Sequence, residues 1–191
     1  IRTPYINSTS RRSARFVKLH PHYFLHKYKY CIWVDSNISI NCNPEKYFRA
    51  MIDQKADVGF IRHPTRKNWE EEANVCLSYE LDTKDTINNQ IQRYKRINLD
   101  SNLPLPETNF LFLNLTNEYV RDFLNTWYSE LAFFSFRDQL SFNYAQSLFL
   151  NKIKFINFWP TRESCRCHKD FTLFHHALSS SQRASVLNLI S

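Results

Sequence analysis

Three short stretches combine residue types that can hold a phosphate or a metal ion. The first is Asp35-Ser36-Asn37, directly after the apolar run Tyr30-Cys31-Ile32-Trp33-Val34. An acid at a strand end meets a ligand without charging the core, and a residue two positions on shares its side wherever the backbone stays extended. Asp35 and Asn37 then grip a hard cation and its diphosphate, because such ions take carboxylate and amide oxygens. The same residues equally suit a plain strand-end turn. The second stretch is Arg15 and Lys18, at i,i+3 on one helical face near His20 and His22. It is either a phosphate-holding cluster or a solvated basic face. The third is Arg137-Asp138-Gln139, which opens a helix. Asp138 is there either a cap or first-turn carboxylate, worth about 1 kcal/mol, or a general base or acceptor-binding acid. His63 closes a strand ahead of Arg66 and Glu70-Glu71-Glu72, and on its own reads first as structural. Cys165-Arg166-Cys167-His168 has zinc-ligand residue types but lacks a second pair at matching spacing.

An alternation of strands and helices must position these residues. The first dozen residues read as loop, followed by a short helix over Ala14–Leu19 that ends near Pro21. Apolar runs predict strands at Tyr30–Val34, Asp57–Arg62, Phe110–Leu115 and Lys154–Phe158. Between them, Asn43-Pro44 opens a helix to about Gln54, and helices are predicted over Asn68–Tyr79, Thr83–Arg96, Asn117–Ala132 and Arg137–Leu150. Glu70, Glu71 and Glu72 fall in a first turn, where the helix dipole favours carboxylates. Leu103-Pro104-Leu105-Pro106 reads as a rigid extended link. The alternation predicts a mainly parallel α/β sheet, with ligands beyond the carboxyl ends of its strands. The chain reads as one domain over 1–191, with 1–13 a loop or remnant of a longer N-terminus and 171–191 a terminal helix or tail.

Composition narrows the chemistry. The 191 residues include a single glycine, where average usage gives about 13. That excludes a glycine-rich phosphate cradle, so neither a dinucleotide fingerprint nor a P-loop is present. Any nucleotide must be held by metal, side chains or helix ends. Twenty-five Lys+Arg against 18 Asp+Glu give a net charge of +7, which favours phosphate-bearing or anionic-membrane partners. No nucleic-acid module signature accompanies the charge, so a nucleic-acid partner is not expected. No apolar stretch is long enough to span a membrane. The five cysteines are irregularly spaced; Cys31 reads as a buried small hydrophobe, and reduced thiols are expected.

Taken in order, several of these residues resemble a glycosyltransferase-like family that includes the plant turgor-regulation-defect proteins and bacterial polysaccharide-biosynthesis proteins. The likeness runs from about Arg15 to Leu150. It begins with Arg15-Phe16-Val17-Lys18 and Pro21-His22, and continues with Trp33-Val34-Asp35-Ser36-Asn37. Arg62-His63-Pro64, Arg66 and Glu71-Glu72 follow, then Pro106-Glu107, Trp127, Glu130 and Arg137-Asp138-Gln139-Leu140-Ser141-Phe142.

The resemblance implies a GT-A-like mixed, mainly parallel sheet flanked by helices, lacking its first strand if the chain is a processed piece. It implies a nucleotide-sugar-dependent hexosyltransferase acting on a glycan, polysaccharide or lipid-linked acceptor, with peripheral membrane contact. Such an enzyme would work in the cytoplasm or at the membrane periphery of a bacterium, or in the Golgi lumen of a eukaryote. By the same resemblance, Arg15, Lys18, Asp35 and His63 bind the donor. Asp35, Asn37 and the late His168 hold Mn²⁺ or Mg²⁺, and Asn37 stands where the family pattern has a second acid. Asp138, with Arg137 and Gln139, faces the transferred sugar or the acceptor, and Asp138 is the base if the reaction inverts. Two other readings stand beside this one: a catalytically lapsed GT-A-like binding module, and a hydrolase acting on a lipid amide.

Overall fold

A computed structural model describes residues 10–159 and 163–174. Its helices are α1 Ser10–Leu19, α2 Pro21–Phe24, α3 Glu45–Asp53, α4 Trp69–Ser78, α5 Lys84–Arg96, α6 Glu118–Phe133 and α7 Asp138–Phe149. Its strands are β1 Tyr30–Val34, β2 Ile38–Ile40, β3 Val58–Arg62, β4 Pro106–Asn114, β5 Phe155–Asn157 and β6 Phe171–Leu173. None of the described helices is long and apolar enough to cross a membrane.

The main sheet has the order β1-β4-β3-β5. Strand β4 runs antiparallel to both neighbours, whereas β3 and β5 pair in parallel. Strands β1, β3 and β5 therefore share one direction, and only one neighbouring pair is parallel. The sheet is mixed and helix-flanked, as the resemblance implies, but it is not mainly parallel: β4 enters between β1 and β3 in the opposite direction, so two of its three described pairs are antiparallel. Strand β4 is buried on both faces, and its alternation sorts the core. Leu111 and Leu113 pack with Phe123, Trp127 and Phe142 of α6 and α7. Phe110 and Phe112 pack with Tyr47 and Met51 of α3 and with Phe171. Each fully buried Phe or Leu adds about 1.5–3 kcal/mol, so these two layers fix the plane of the sheet.

Three predicted boundaries move. Helix α1 begins at Ser10, so the expected loop over 1–13 is helical from that point; residues 1–9 lie outside the described residues. Strand β4 begins at Pro106 rather than Phe110, because the predicted extended link leads straight into the ladder. The expected terminal helix or tail over 171–191 contains β6 instead, which pairs with β2 as a two-stranded ribbon against α3. Phe174 follows β6, its N–H bonded to the Asn37 carbonyl at 2.7 Å; residues 175–191 lie outside the described residues.

With one glycine, helix ends must use other residues in the left-handed region. Lys55, Glu80 and Asn98 have φ of 49°, 50° and 51°. Each follows a helix, and the next residue's N–H closes back on a helix carbonyl: Ala56 to Met51 at 2.8 Å, Leu81 to Cys76 at 3.0 Å, Leu99 to Tyr94 at 3.0 Å. That is the Schellman closure, which glycine fills without Cβ strain. Exposed Lys55→Gly should therefore stabilise the fold by up to about 1 kcal/mol, read from its urea midpoint; an unchanged or lower midpoint would show that no strain is relieved.

Gly59, the sole glycine, serves close packing instead. A Cβ there would lie 2.4 and 2.5 Å from Phe158 ring carbons and 2.9 Å from the Met51 sulfur. Gly59→Ala should cost about 1–3 kcal/mol in denaturant unfolding, the usual range for overpacking. Stability equal to that of the parent chain would show that Phe158 moves aside freely.

Candidate functional site

A cleft of about 960 Å³ opens at the carboxyl ends of β1 and β3 and the amino end of β4. Asp35, Ser36 and Asn37 line it from the end of β1, and His63 and Arg66 from the loop after β3. Helix α1 contributes Arg15, and the start of α7 contributes Arg137, Asp138 and Gln139. Ser164 and Arg166 close one side.

Strand β4 supplies a wall through an irregularity. Phe60 pairs with Leu111, but the next residue, Ile61, pairs with Glu107. Thr108, Asn109 and Phe110 thus have no partner in the β3 ladder, while the β1 side stays bonded through the Asp35 N–H to the Asn109 carbonyl at 2.9 Å. Bulges of this kind re-aim side chains beside functional sites; here Glu107, Thr108 and Asn109 all reach the cleft.

Two buried carboxylates organise the cations. Asp138, 3% exposed, lies 3.1 Å from the Arg15 guanidinium, meets the Lys18 ammonium, and accepts from the Thr108 hydroxyl at 3.0 Å. Burial alone would raise its carboxyl, but Lys18 and then Arg15 overrule that and hold it well below the usual carboxylate range. Glu72, fully buried on α4, lies 2.6 Å from Arg66 and 3.7 Å from Arg137. Its burial raises the carboxyl above its ordinary value, with Arg66 and Arg137 opposing. Each acid therefore faces two cations. In and just behind the cleft, Arg15, Lys18, Arg66, Arg137 and Arg166 stand against Asp35, Glu72, Glu107 and Asp138, five against four. The Nε–H groups of Arg15 and Arg137 are buried without a hydrogen-bond partner.

The starts of α1 and α7 are tied down by side-chain bonds to neighbouring elements. Arg12 donates to the carbonyls of Leu131, Ala132 and Phe134 at the end of α6, where the helix dipole favours a cation. The Trp127 indole donates to the Asp138 carbonyl at 2.9 Å, and Gln139 donates to the Pro106 carbonyl at 3.1 Å. These bonds fix Asp138 relative to β4.

Several expected site residues change role. Lys18 is fully buried and does not line the cleft, so it is the counter-ion of Asp138 rather than a phosphate contact. Burial lowers its ammonium from the ordinary value, against the pull of Asp138. Asp138 is the first-turn carboxylate of α7 rather than its cap, which is Arg137, and its side chain turns to α1 and Thr108. Its two cations also hold the carboxyl below its ordinary range, which weakens it as a base. His63 lines the cleft, but its Nδ1 accepts from the Arg66 and Thr65 N–H groups at 2.9 and 3.2 Å. Burial, then Arg66 and Arg166, lower it to about 4, so its imidazole is neutral at physiological pH. Asp35 and Asn37 both reach the cleft, yet Ile38 N–H bonds back to the Asp35 carbonyl at 2.9 Å. They sit on a turn, not on the extended backbone that the spacing assumed. His168 does not line the cleft: it stacks on Trp159 at 4.0 Å and faces Asp170 at 3.4 Å.

Thr108 and Asn109 carry no signal in the sequence; Glu72 and Glu107 enter inside the family-like motifs Glu71-Glu72 and Pro106-Glu107, and Arg166 only between two cysteines, none with a site role. Glu72 had a legible signal, since Trp69, Ala73 and Cys76 place it on the buried face of α4 by helical period. For Glu107 the Pro106-Glu107 motif gives position but not orientation, because the bulge that turns it to the cleft is a property of sheet register. Its carboxylate accepts from the Ser164 hydroxyl at 2.7 and 2.9 Å and from Cys165 N–H at 2.9 Å. Cys165 itself is buried, and burial followed by Glu107 pushes its thiol far up. The Cys-x-Cys-His stretch thus delivers Ser164 and Arg166 to the cleft. Among the described residues all five cysteines are free.

No curated protein and no solved structure gives a match to the chain. The family described as "TOD1/MUCI70, glycosyltransferase-like domain" matches residues 2–176. That range takes in every described helix and strand, together with the whole arginine-lined cleft. The chain belongs to the TOD1/MUCI70 glycosyltransferase-like family.

Proposed function

We propose that the chain transfers a sugar from a nucleotide sugar to a hydroxyl of a glycan or lipid-linked acceptor, with the donor diphosphate in the arginine-lined cleft. The observation that carries this reading is the pairing of each buried acid, Asp138 and Glu72, with two cations. That arrangement leaves fixed guanidinium groups carrying positive charge in excess of the acids beside an open space. Arginine suits phosphate because its planar fork donates in pairs. A cleft at the carboxyl ends of strands, of about 960 Å³, is also of the size that small ligands occupy.

In the reaction, the bond between the sugar's anomeric carbon and the donor phosphate oxygen breaks. The nucleoside diphosphate leaves with the electron pair, and the acceptor oxygen forms the new bond. Arg15, Arg66 and Arg137 stabilise the negative charge that grows on the leaving diphosphate. The acceptor's proton goes to Glu107, whose oxygens meet the neutral donors Ser164 Oγ and Cys165 N–H and only a distant Arg166 at 3.9 Å. Asp138 keeps Lys18 and Arg15 in place and takes no proton.

The test is release of nucleoside diphosphate from a panel of nucleotide sugars, with short oligosaccharides or water as acceptor. The reading expects one donor to turn over and Glu107→Gln to slow it by about 100-fold or more. Donor binding without any release would instead favour a lapsed binding module, and release from no donor together with no binding would overturn the reading.

A further inference from the structure

The cleft is poorly furnished for a divalent ion. Asp35 is the one carboxylate at the end of β1, and its Oδ1 already accepts from the Trp33 indole at 2.8 Å. Asn37 adds a neutral amide. His168 lies outside the cleft lining, with its Nδ1 taken by Asp170 N–H at 3.1 Å. The other two acids of the lining are engaged: Asp138 by Arg15, Lys18 and Thr108, Glu107 by Ser164 and Cys165 N–H. Among the described residues, no three His, Cys, Asp or Glu side chains gather as a metal site would require. Three guanidinium groups beside the same space would also repel a dication.

The same residues fit an anion without a metal. Arg15, Arg66 and Arg137 are each about three quarters buried, with side-chain exposures of 24%, 23% and 28%. Each is braced from behind by a buried carboxylate, so its guanidinium is held in place at the cleft rather than free in solution. We infer that this cleft binds a diphosphate with side-chain cations alone, Arg15, Arg66 and Arg137 taking the charge-neutralising place that a divalent ion holds in the metal-dependent scheme. The inference rests on the donor reading above and narrows it. Fixed guanidinium groups do not need to be loaded, so binding is independent of divalent metal. It is also sensitive to the shape of the cation, since a lysine at 137 keeps the charge but loses the fork.

Calorimetric titration of the chain with inorganic pyrophosphate, ADP, CDP, GDP and UDP tests this, each with EDTA and again with Mn²⁺ or Mg²⁺. The expected result is that at least one ligand binds in EDTA, with a Kd within about threefold of its metal-supplemented value. Arg137→Lys, checked for an unchanged thermal midpoint, should weaken that binding by about tenfold or more. Binding that falls by more than about tenfold when metal is removed would overturn the inference and leave the donor reading standing. Equal affinity in the parent chain and Arg137→Lys would place the anion elsewhere and overturn the inference as well. Failure of every ligand to bind in both conditions would overturn both.

Discussion

Asp138→Ala should lose about 3–5 kcal/mol of folding stability, the usual cost of stripping one partner from a buried ion pair. Lys18 is fully buried, and without Asp138 its ammonium keeps, among the described residues, only the Thr108 carbonyl as a close hydrogen-bond partner. Arg15 would lose its carboxylate at the same time. The loss is a charge effect, so removing both partners should undo much of it. Lys18→Met combined with Asp138→Leu should recover most of the stability lost by Asp138→Ala, because a well-packed apolar pair often matches a buried ion pair. The pH dependence follows from the depressed carboxyl. Asp138 stabilises the fold fully above its unfolded value of 3.8, and that contribution is lost as pH falls toward its folded value. The parent chain should therefore lose stability below about pH 4 more steeply than the double variant does. Urea unfolding at pH 7 and pH 3 measures all of this. An Asp138→Ala variant within about 1 kcal/mol of the parent would show that the carboxylate is not the keystone of α1, β4 and α7. Loss of activity in that variant carries no information about proton transfer unless the fold is shown intact.

Arg137→Ala should weaken pyrophosphate binding by about 10- to 100-fold, since hydrogen bonds to charged groups are worth about 1.5–3 kcal/mol each. Arg66→Ala should act alike, because the two guanidinium groups share Glu72 as their brace. The contrast is the basic run at the end of α5, where Lys95 and Arg96 are exposed. Their joint replacement by alanine should leave Kd within about twofold, as expected for solvated charges that screen readily. An α5 variant that loses as much as Arg137→Ala would mean that overall positive charge, not the cleft, attracts the anion. Thermal midpoints of all variants, taken without ligand, separate loss of binding from loss of fold.

Most elements were readable from sequence because their signals are local. Asn68, Thr83 and Asn117 each accept from an N–H of the first turn they precede, as side chains of their type should. The apolar runs of β1, β3 and β4 are long enough to mark buried strands. The short ribbon of β2 and β6 was missed, because three-residue strands paired across the chain carry no periodicity. The site divides in the same way. Asp35, His63, Arg137 and Asp138 lie in the cleft as their positions at element ends suggest, and Arg15 reaches it from the middle of α1. Lys18 was misread because spacing on a helix tells which side chains share a face, not which face meets the core. Glu107 stands in the Pro106-Glu107 motif without a role, because a register shift in β4, not its own neighbours, turns it toward the cleft. His168 was misplaced because proximity in three dimensions was assumed from a family pattern.

A crystal structure of the chain with the nucleoside diphosphate that stabilises it most would test the central claim directly. The account predicts both phosphates between α1 and the start of α7, within hydrogen-bond reach of Arg15, Arg66 and Arg137, with the sugar side facing Glu107. Phosphates bound at Lys95 and Arg96 on α5, or an arginine cleft filled only by water, would contradict it.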